Sequence, residues 1–360
     1  MKLSNLKRAV YSIIVILTSS VIHASEHKEG AEDKKFDAKE MIMHHVKDAH
    51  AFHLFDWNGE PVALELPIIL YNNGLTTFSS GEFHHDDSGS HIVEKDGNKY
   101  AKLHEKIYQL NAGETELKLN EEHHPENAFM PFDLSITRNV FMMWISVAVL
   151  LLVFITSARR YKNKDYQKSL GIAGFVEPLI LFVRDEIARP MIGEKRYKRY
   201  MPYLLTVFFF IWINNIFGLI PILNGANLSG NIAFTMTLAL FTFIITTFSG
   251  NKNYWKHIFW MPGVPVPMKI FLMPIELIGI FTKPISLMIR LFANITAGHI
   301  IILALMSLIF IFKSIAVAPV SVAFSLFITV IEIVVTAIQA YIFTILSALY
   351  FGMATEEEHH

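Results

Sequence analysis

Lys283-Pro284-Ile285-Ser286-Leu287-Met288-Ile289-Arg290-Leu291-Phe292-Ala293-Asn294-Ile295-Thr296-Ala297-Gly298-His299 sets an arginine and a histidine inside otherwise apolar sequence. The run lies within an apolar stretch from Ile270 to Phe312, and a second, from Ile315 to Phe351, follows beyond Lys313. As continuous helix each would extend well past ~50 Å at about 1.5 Å per residue, whereas the hydrocarbon core of a bilayer is about 30 Å thick. Both must tilt steeply or break, and Pro274 and Pro284 offer the first places to bend. Glu276, Lys283, Arg290, His299 and Glu332 sit inside these stretches. Ionisable groups at bilayer depth cost roughly 2.5–3.5 kcal/mol each on insertion scales and usually mark an ion path. The bland reading is snorkelling for Glu276 and Lys283 and a structural ion pair for Arg290.

Spacing sharpens the ion-path reading. Glu276, Lys283, Arg290 and Asn294 are separated by 7, 7 and 4 residues, with Ser286 between them, so they share one helical face. Ser325, Thr329, Glu332, Thr336 and Gln339 follow in steps of 4, 3, 4 and 3 and form a second polar stripe. Such stripes face protein or water rather than lipid. A helix–helix seam explains the hydroxyls but not an arginine and a glutamate. Folded as an antiparallel hairpin, the two stretches bring Arg290 level with Gln339 and His299 level with Glu332. Both pairs are centred between positions 314 and 316, beside Lys313. An arginine–amide layer and a histidine–carboxylate layer are therefore expected. If the first arm runs outward, Glu276 lies toward the inner face and His299 toward the outer, with Arg290 between them.

The rest of the chain fits a membrane protein. It is 52% apolar over 360 residues, with mean hydropathy +0.39, too hydrophobic for a soluble domain. Its net charge of −1 hides a split: Glu26 to Asp133 holds 22 acidic against 10 basic residues, and Arg159 to Arg199 holds 11 basic against 5 acidic. There is no cysteine, which excludes disulfides and thiolate chemistry. The absence of GxGxxG, GxxxxGK[ST] and HExxH gives no sign of a nucleotide or catalytic zinc, and neither a cofactor nor a nucleic-acid partner is expected. Lys2, Lys7 and Arg8, the apolar Val10 to Ile22 and a cleavage point at Ala24 read as an export signal over 1–24, with an uncleaved anchor as the rival.

Residues 25–135 are expected to form a small mixed α/β polar domain outside the cytoplasm. Lys34 to Val46 suggests a helix, Val62, Leu64 and Leu66 alternate as in a strand, and Asp96-Gly97 is a hairpin signal. Histidines crowd here, at His44-His45, His84-His85, His91 and His123-His124. Without cysteine or a helical i,i+4 histidine pair, they read as solvated side chains rather than a metal site. From 136 to 360 an all-α integral membrane domain is expected, with about five crossings, the last two a long tilted hairpin. Val140 to Ala158 runs outside to inside, because Arg159-Arg160-Tyr161-Lys162-Asn163-Lys164 follows it. Gly171 to Arg199 reads as a helix on the inner surface. Tyr203 to Leu223 returns outward, Ile232 to Ser249 goes back in, and a loop with Lys252, Lys256 and Lys269 stays inside. The C-terminus then ends in the cytoplasm.

Across roughly residues 136 to 355 the chain resembles subunit a of F-type ATP synthases. Lys283 to His299 matches that family's KPxSLxxRLxxNxxAGH segment, Gln339-Ala340-Tyr341-Ile342-Phe343 its QAYxF, and Asn215-Ile216-Phe217-Gly218-Leu219-Ile220-Pro221 its NxxGLxP. The resemblance implies a multi-pass protein of the bacterial inner membrane, with a nearly horizontal terminal hairpin lying against a rotating c-subunit ring. It also implies as partners the b subunits of a peripheral stalk and a soluble ATPase head. By resemblance Arg290 is the obligatory arginine facing the ring carboxylate. Asn294, His299, Glu332 and Gln339 line the outer half-channel, and Glu276 sits by the inner one. Lys283, Ser286, Asn215 and Thr336 are supporting polar groups. Many bacterial members carry Glu at the position of His299 and His at that of Glu332, while mitochondrial members share the order found here. The polar domain before residue 135 is longer than in most members.

The expected role is proton translocation without bond chemistry. Imidazole and carboxylate groups, with ordinary pKa values of about 6.5 and 4.3, suit relay near neutrality. Arginine does not deprotonate at physiological pH, so it blocks leakage between half-channels. A proton-coupled secondary transporter, the alternative, would show internal repeats and paired interrupted helices, and neither is evident. A periplasmic metal-binding module on an anchor would explain the histidines but not Arg290.

Overall fold

The computed structural model describes residues 47–57, 60–72, 74–121, 123–161, 171–220, 228–312 and 317–356. The export signal, the helix at Lys34 to Val46, His44-His45, Lys162, Lys164, Pro221 and the turn at Lys313 lie outside these residues.

The described residues before Arg138 are mainly antiparallel β-structure. Strand β1 (Ala51–Trp57) pairs with β2 (Glu60–Glu65); β3 (Pro67–Tyr71) lies between β4 (Leu75–Ser79) and β9 (Phe132–Asp133); and β5 (Ser88–Lys95), β6 (Asn98–Leu103), β7 (Lys106–Leu110) and β8 (Ala128–Phe129) follow in order. Asp96-Gly97 turns β5 into β6 with Lys95 opposite Asn98, and its φ values of 52° and 76° suit the mirror-image turn that matches strand twist. Period-two alternation points Ile68 and Leu70 of β3 inward, where Phe78, Phe83, Val93, Tyr100 and Ile107 complete one core. The alternation at Val62 and Leu64 does mark a strand, but β2 pairs with β1 alone and leaves both side chains exposed. Buried His50 holds Asp133, Nε2 to Oδ2, at 3.1 Å. Burial raises the Asp133 carboxyl, but hydrogen bonds from His50 and Ser135 outweigh it and hold it below the ordinary carboxylate range. The Arg138 guanidinium donates to the Lys47 carbonyl at 2.8 Å. Among the described residues no three His, Asp or Glu side chains converge as metal ligands would.

The remainder is helical: α1 (Arg138–Tyr161), α2 (Ile172–Phe182), which runs through one wide turn at Val183–Ala188 into α3 (Arg189–Ile192), then α4 (Tyr197–Leu219), α5 (Ile232–Ser249), α6 (Lys252–Phe259), α7 (Val266–Phe312) and α8 (Ala318–Thr355). Five of these, α1, α4, α5, α7 and α8, are long and apolar enough to cross a bilayer. The 47 residues of α7 and the 38 of α8 correspond to roughly 70 Å and 57 Å of helix. Helix α7 is continuous through Pro274 and Pro284. Of the two options, tilting or breaking, only steep inclination keeps such a rod within a layer about 30 Å thick.

Packing in this helical part centres on α4. Its Leu204, Val207, Phe208 and Ile211 meet Leu287, Leu291 and Ile295 of α7 and Ala340, Phe343 and Phe351 of α8 in one core. Of the helix expected at Gly171 to Arg199, α2 and α3 form the part up to Ile192, where Gly193 at φ 92° ends it, and Val183, Ile187, Ala188 and Ile192 join that core. Gly352 permits this approach, because a Cβ there would collide with the Met191 carbonyl. The segment expected as a loop after Ser249 contains α6 instead. Asn251 Oδ1 caps it by accepting from the Tyr254 N–H at 2.8 Å, and Lys256 and His257 suit the negative end of its dipole.

Candidate functional site

On α8 the polar stripe faces the protein interior, as its periodicity requires: Ser325, Glu332, Thr336 and Gln339 are all buried. Glu332 is 3% exposed, and its Oε1 lies 2.9 Å from His299 Nδ1 of α7, with the ring N–H placed to donate. The histidine–carboxylate layer of the hairpin is therefore formed, 33 residues apart in sequence. An ion needs such a partner to be buried at all. Glu332 Oε2, Ser325 Oγ and Thr296 Oγ1 are buried polar atoms without a protein partner, a condition ordinarily met by water. The Thr336 hydroxyl is spent on its own helix, donating to the Ile333 carbonyl at 2.7 Å.

In the arginine–amide layer, Arg290 and Gln339 do not touch through a hydrogen bond. Gln339 is buried and Arg290 exposed. The inward edge of α7 is the apolar line Leu287, Leu291 and Ile295, and Arg290 is turned about 100° from Leu291. Ser286, Arg290 and Asn294, at four-residue steps, form an exposed polar ridge flanked by the small Ala293 and Ala297. Among the described residues Arg290 makes no hydrogen bond or ion pair. Its position on α7 is nine residues from His299 and fourteen from Glu276, or roughly 14 Å and 21 Å along the helix.

The other end of α7 gathers groups that carry no charge signature in the sequence. The Lys283 ammonium sits 5.7 Å from the centroid of the Tyr350 ring, and Arg290 lies within electrostatic reach of the same phenol. Tyr254, at the head of α6, has its pKa raised first by burial and then by the nearby Glu276 carboxylate. Lys283, Tyr254, Tyr350, Thr242 and Thr246 line a cavity of about 20 Å³, room for about one water molecule. Of the neighbouring asparagines on α4, Asn214 holds Ser146 of α1 at 2.7 Å and also donates to the Phe210 carbonyl. Asn215 is buried with both amide atoms lacking a protein partner.

Gly298 was not singled out by its residue type, yet it decides the Glu332 position. A Cβ there would lie 2.6 Å from Glu332 Oε1 and 2.8 Å from its Cδ. Gly298→Ala should therefore displace the carboxylate and break its bond to His299. The helix gains about 1 kcal/mol in propensity, less than the about 1.5–3 kcal/mol of a hydrogen bond to a charged group. A normally assembled complex with markedly slower proton flux in vesicles is the expected result. Unchanged flux would show that the close approach is incidental.

Five apolar spans, a buried titratable pair and an exposed arginine on one long hairpin define a multi-pass membrane protein of the ion-conducting class. Residues 140–352 match the ATP synthase A chain family, and residues 41–134 match a domain of unknown function, DUF8433. The chain belongs to the ATP synthase A chain family, a non-catalytic part of the membrane sector of that complex. It is 47% identical to ATP synthase subunit a of Chloroherpeton thalassium over 244 residues, 66% of this chain and 72% of that one. With ATP synthase subunit a 2 of Prosthecochloris aestuarii it shares 43% identity over 309 residues, 83% of this chain and 93% of the relative. Subunit a of Myxococcus xanthus is 43% identical over 233 residues, 63% and 75% of the two chains. The Prosthecochloris match is longer than residues 136–360, so that relative shares part of the strand-rich domain as well.

Proposed function

We propose that this chain provides two half-channels to a c-subunit ring and that Arg290 separates them. The observation that carries the reading is Arg290 itself, a permanent cation midway along an apolar helix, exposed and without a hydrogen bond or ion pair among the described residues. A charge there is costly unless an anion from outside the chain meets it, and a ring carboxylate supplies that anion. Protons enter from the outer face past Asn294, His299, Glu332 and Gln339. The partnerless buried oxygens beside the His299–Glu332 pair support a hydrated route there. The ring carboxylate takes the proton, becomes neutral and turns into lipid. On its return Arg290 favours the ionised form and the proton leaves toward Glu276.

In this reading Lys283, Ser286, Asn215 and Thr336 support the path, and Tyr254 and Tyr350 join the inner side. Residues 25–135 form the periplasmic domain and 136–360 the membrane domain, with the C-terminus cytoplasmic. The b subunits of the peripheral stalk hold the chain against rotation. Because the chain has no cysteine, a single introduced thiol tests which face meets the ring. Asn294→Cys, paired with a cysteine one turn from the ring carboxylate, should form an intersubunit disulfide under mild oxidation. Leu152→Cys, on an exposed face of α1, should not. The reverse pattern would place the ring elsewhere.

A further inference from the structure

The start of α4, the junction of α5 with α6 and the end of α8 surround an open recess of about 690 Å³. Lys195, Arg196, Lys198, Arg199 and Lys252 line it beside polar residues of α5, α6 and α8, and among the described residues no carboxylate does. Two carboxylates adjoin these residues in sequence. Glu194 is held by Arg189 at 3.2 Å, and Glu356 follows the lining residue Thr355. Two helix N-termini lie at the recess, α4 beginning at Tyr197 and α6 at Lys252. The positive dipole ends of helix starts favour anions. Five cations and two such ends make a site for phosphate chemistry, and none of these residues belongs to the proposed proton path.

The surroundings select the source of the phosphate. Ser249 lines the recess at the end of α5, and Phe241, Ile244 and Phe248 form an exposed apolar face on that helix, Phe248 being 86% exposed. Phe259 and Trp260 are about half exposed at the end of α6, with the Lys269 ammonium 4.6 Å from the Trp260 ring centroid. Aromatic rings beside lysines at the end of a span mark headgroup depth, and basic pockets between membrane helices take anionic headgroups. We infer that the recess binds the phosphate of an anionic phospholipid whose acyl chains lie along Phe241, Ile244 and Phe248. A free phosphate ion would draw nothing from that apolar face.

The test uses the assembled complex, washed in detergent and then supplied separately with phosphatidylglycerol, phosphatidylcholine or inorganic phosphate, with retained lipid read by native mass spectrometry on this subunit. Wild type should retain phosphatidylglycerol, not phosphatidylcholine, and excess inorganic phosphate should not displace it. Arg199→Gln with Lys252→Gln should weaken retention about thirtyfold, from about fivefold per basic residue near an anionic headgroup. The charge-conserving pair Arg199→Lys with Lys252→Arg should keep it, and rising salt should release lipid from wild type. Proton pumping, measured alongside, separates this site from the ion path. Equal retention in the neutral variant, equal retention of phosphatidylcholine, displacement by phosphate, or salt-independent retention by wild type would each overturn the inference.

Discussion

Arg290→Ala is expected to abolish ATP-driven proton pumping in inverted vesicles while the complex still assembles. The side chain is exposed and bonded to nothing among the described residues, so its loss opens no cavity and orphans no buried partner, the usual routes to large destabilisation. What is lost is the positive field on an incoming ring carboxylate. An opposite charge within a few ångströms favours ionisation by about 1–3 pKa units, so the ionised form should fall about 10- to 1000-fold. Rotation then stalls, because the carboxylate does not release its proton to the inner side. Arg290→Lys should restore little. A lysine ammonium is a strongly hydrated point charge that neutralises readily in apolar surroundings, whereas the guanidinium stays charged. Pumping near the wild-type rate in Arg290→Ala vesicles would remove the proposed role.

The second large effect concerns His299 and Glu332, bonded at 2.9 Å. If they relay protons, the requirement is one imidazole and one carboxylate within reach, not a particular helix for each. His299→Glu alone sets two carboxylates at a distance where both cannot stay ionised. Glu332→His alone leaves two imidazoles and no anion. Each single change should slow proton entry, and the double exchange should recover a good part of the rate. Groups in direct contact typically show coupling of about 0.5–3 kcal/mol, roughly 2- to 150-fold in rate. The readout is non-additivity in a double-mutant cycle on pumping rate. Additive losses, with the exchange no faster than the slower single variant, would show that the pair does not act as a unit.

The hairpin register was legible because polar residues on two apolar helices have few ways to meet. Position numbers centred beside Lys313 were enough to bring His299 to Glu332. The Asp96-Gly97 turn was legible for a local reason, since both positions need positive φ. The direction of Arg290 was not legible. Periodicity assigns a side chain to a face of its helix but does not say what lies opposite, and the line Leu287, Leu291 and Ile295 competed for the inward edge and won. Tyr254 and Tyr350 were missed because a phenol in apolar sequence carries no charge to flag it, and they meet Glu276 and Lys283 only through tertiary packing. Helix α6 was missed although its Asn251 cap was readable, because its eight residues lie in a short connector marked by Lys252 and Lys256, which looks like a loop. Gly298 shows the same limit from the other side: its value lies in the hydrogen-sized space it leaves for the Glu332 carboxylate.

Separate access from the two faces of the membrane is the property on which the proposed mechanism stands, and thiol labelling measures it directly. Ser325 lies on the buried stripe with Glu332, and Thr246 lines the small cavity beside Lys283. With no native cysteine in the chain, Ser325→Cys and Thr246→Cys each provide one reporter on this subunit. A small, membrane-impermeant methanethiosulfonate reagent should modify Ser325→Cys in right-side-out vesicles only and Thr246→Cys in inverted vesicles only. Modification of both from the same face would contradict two half-channels separated at Arg290.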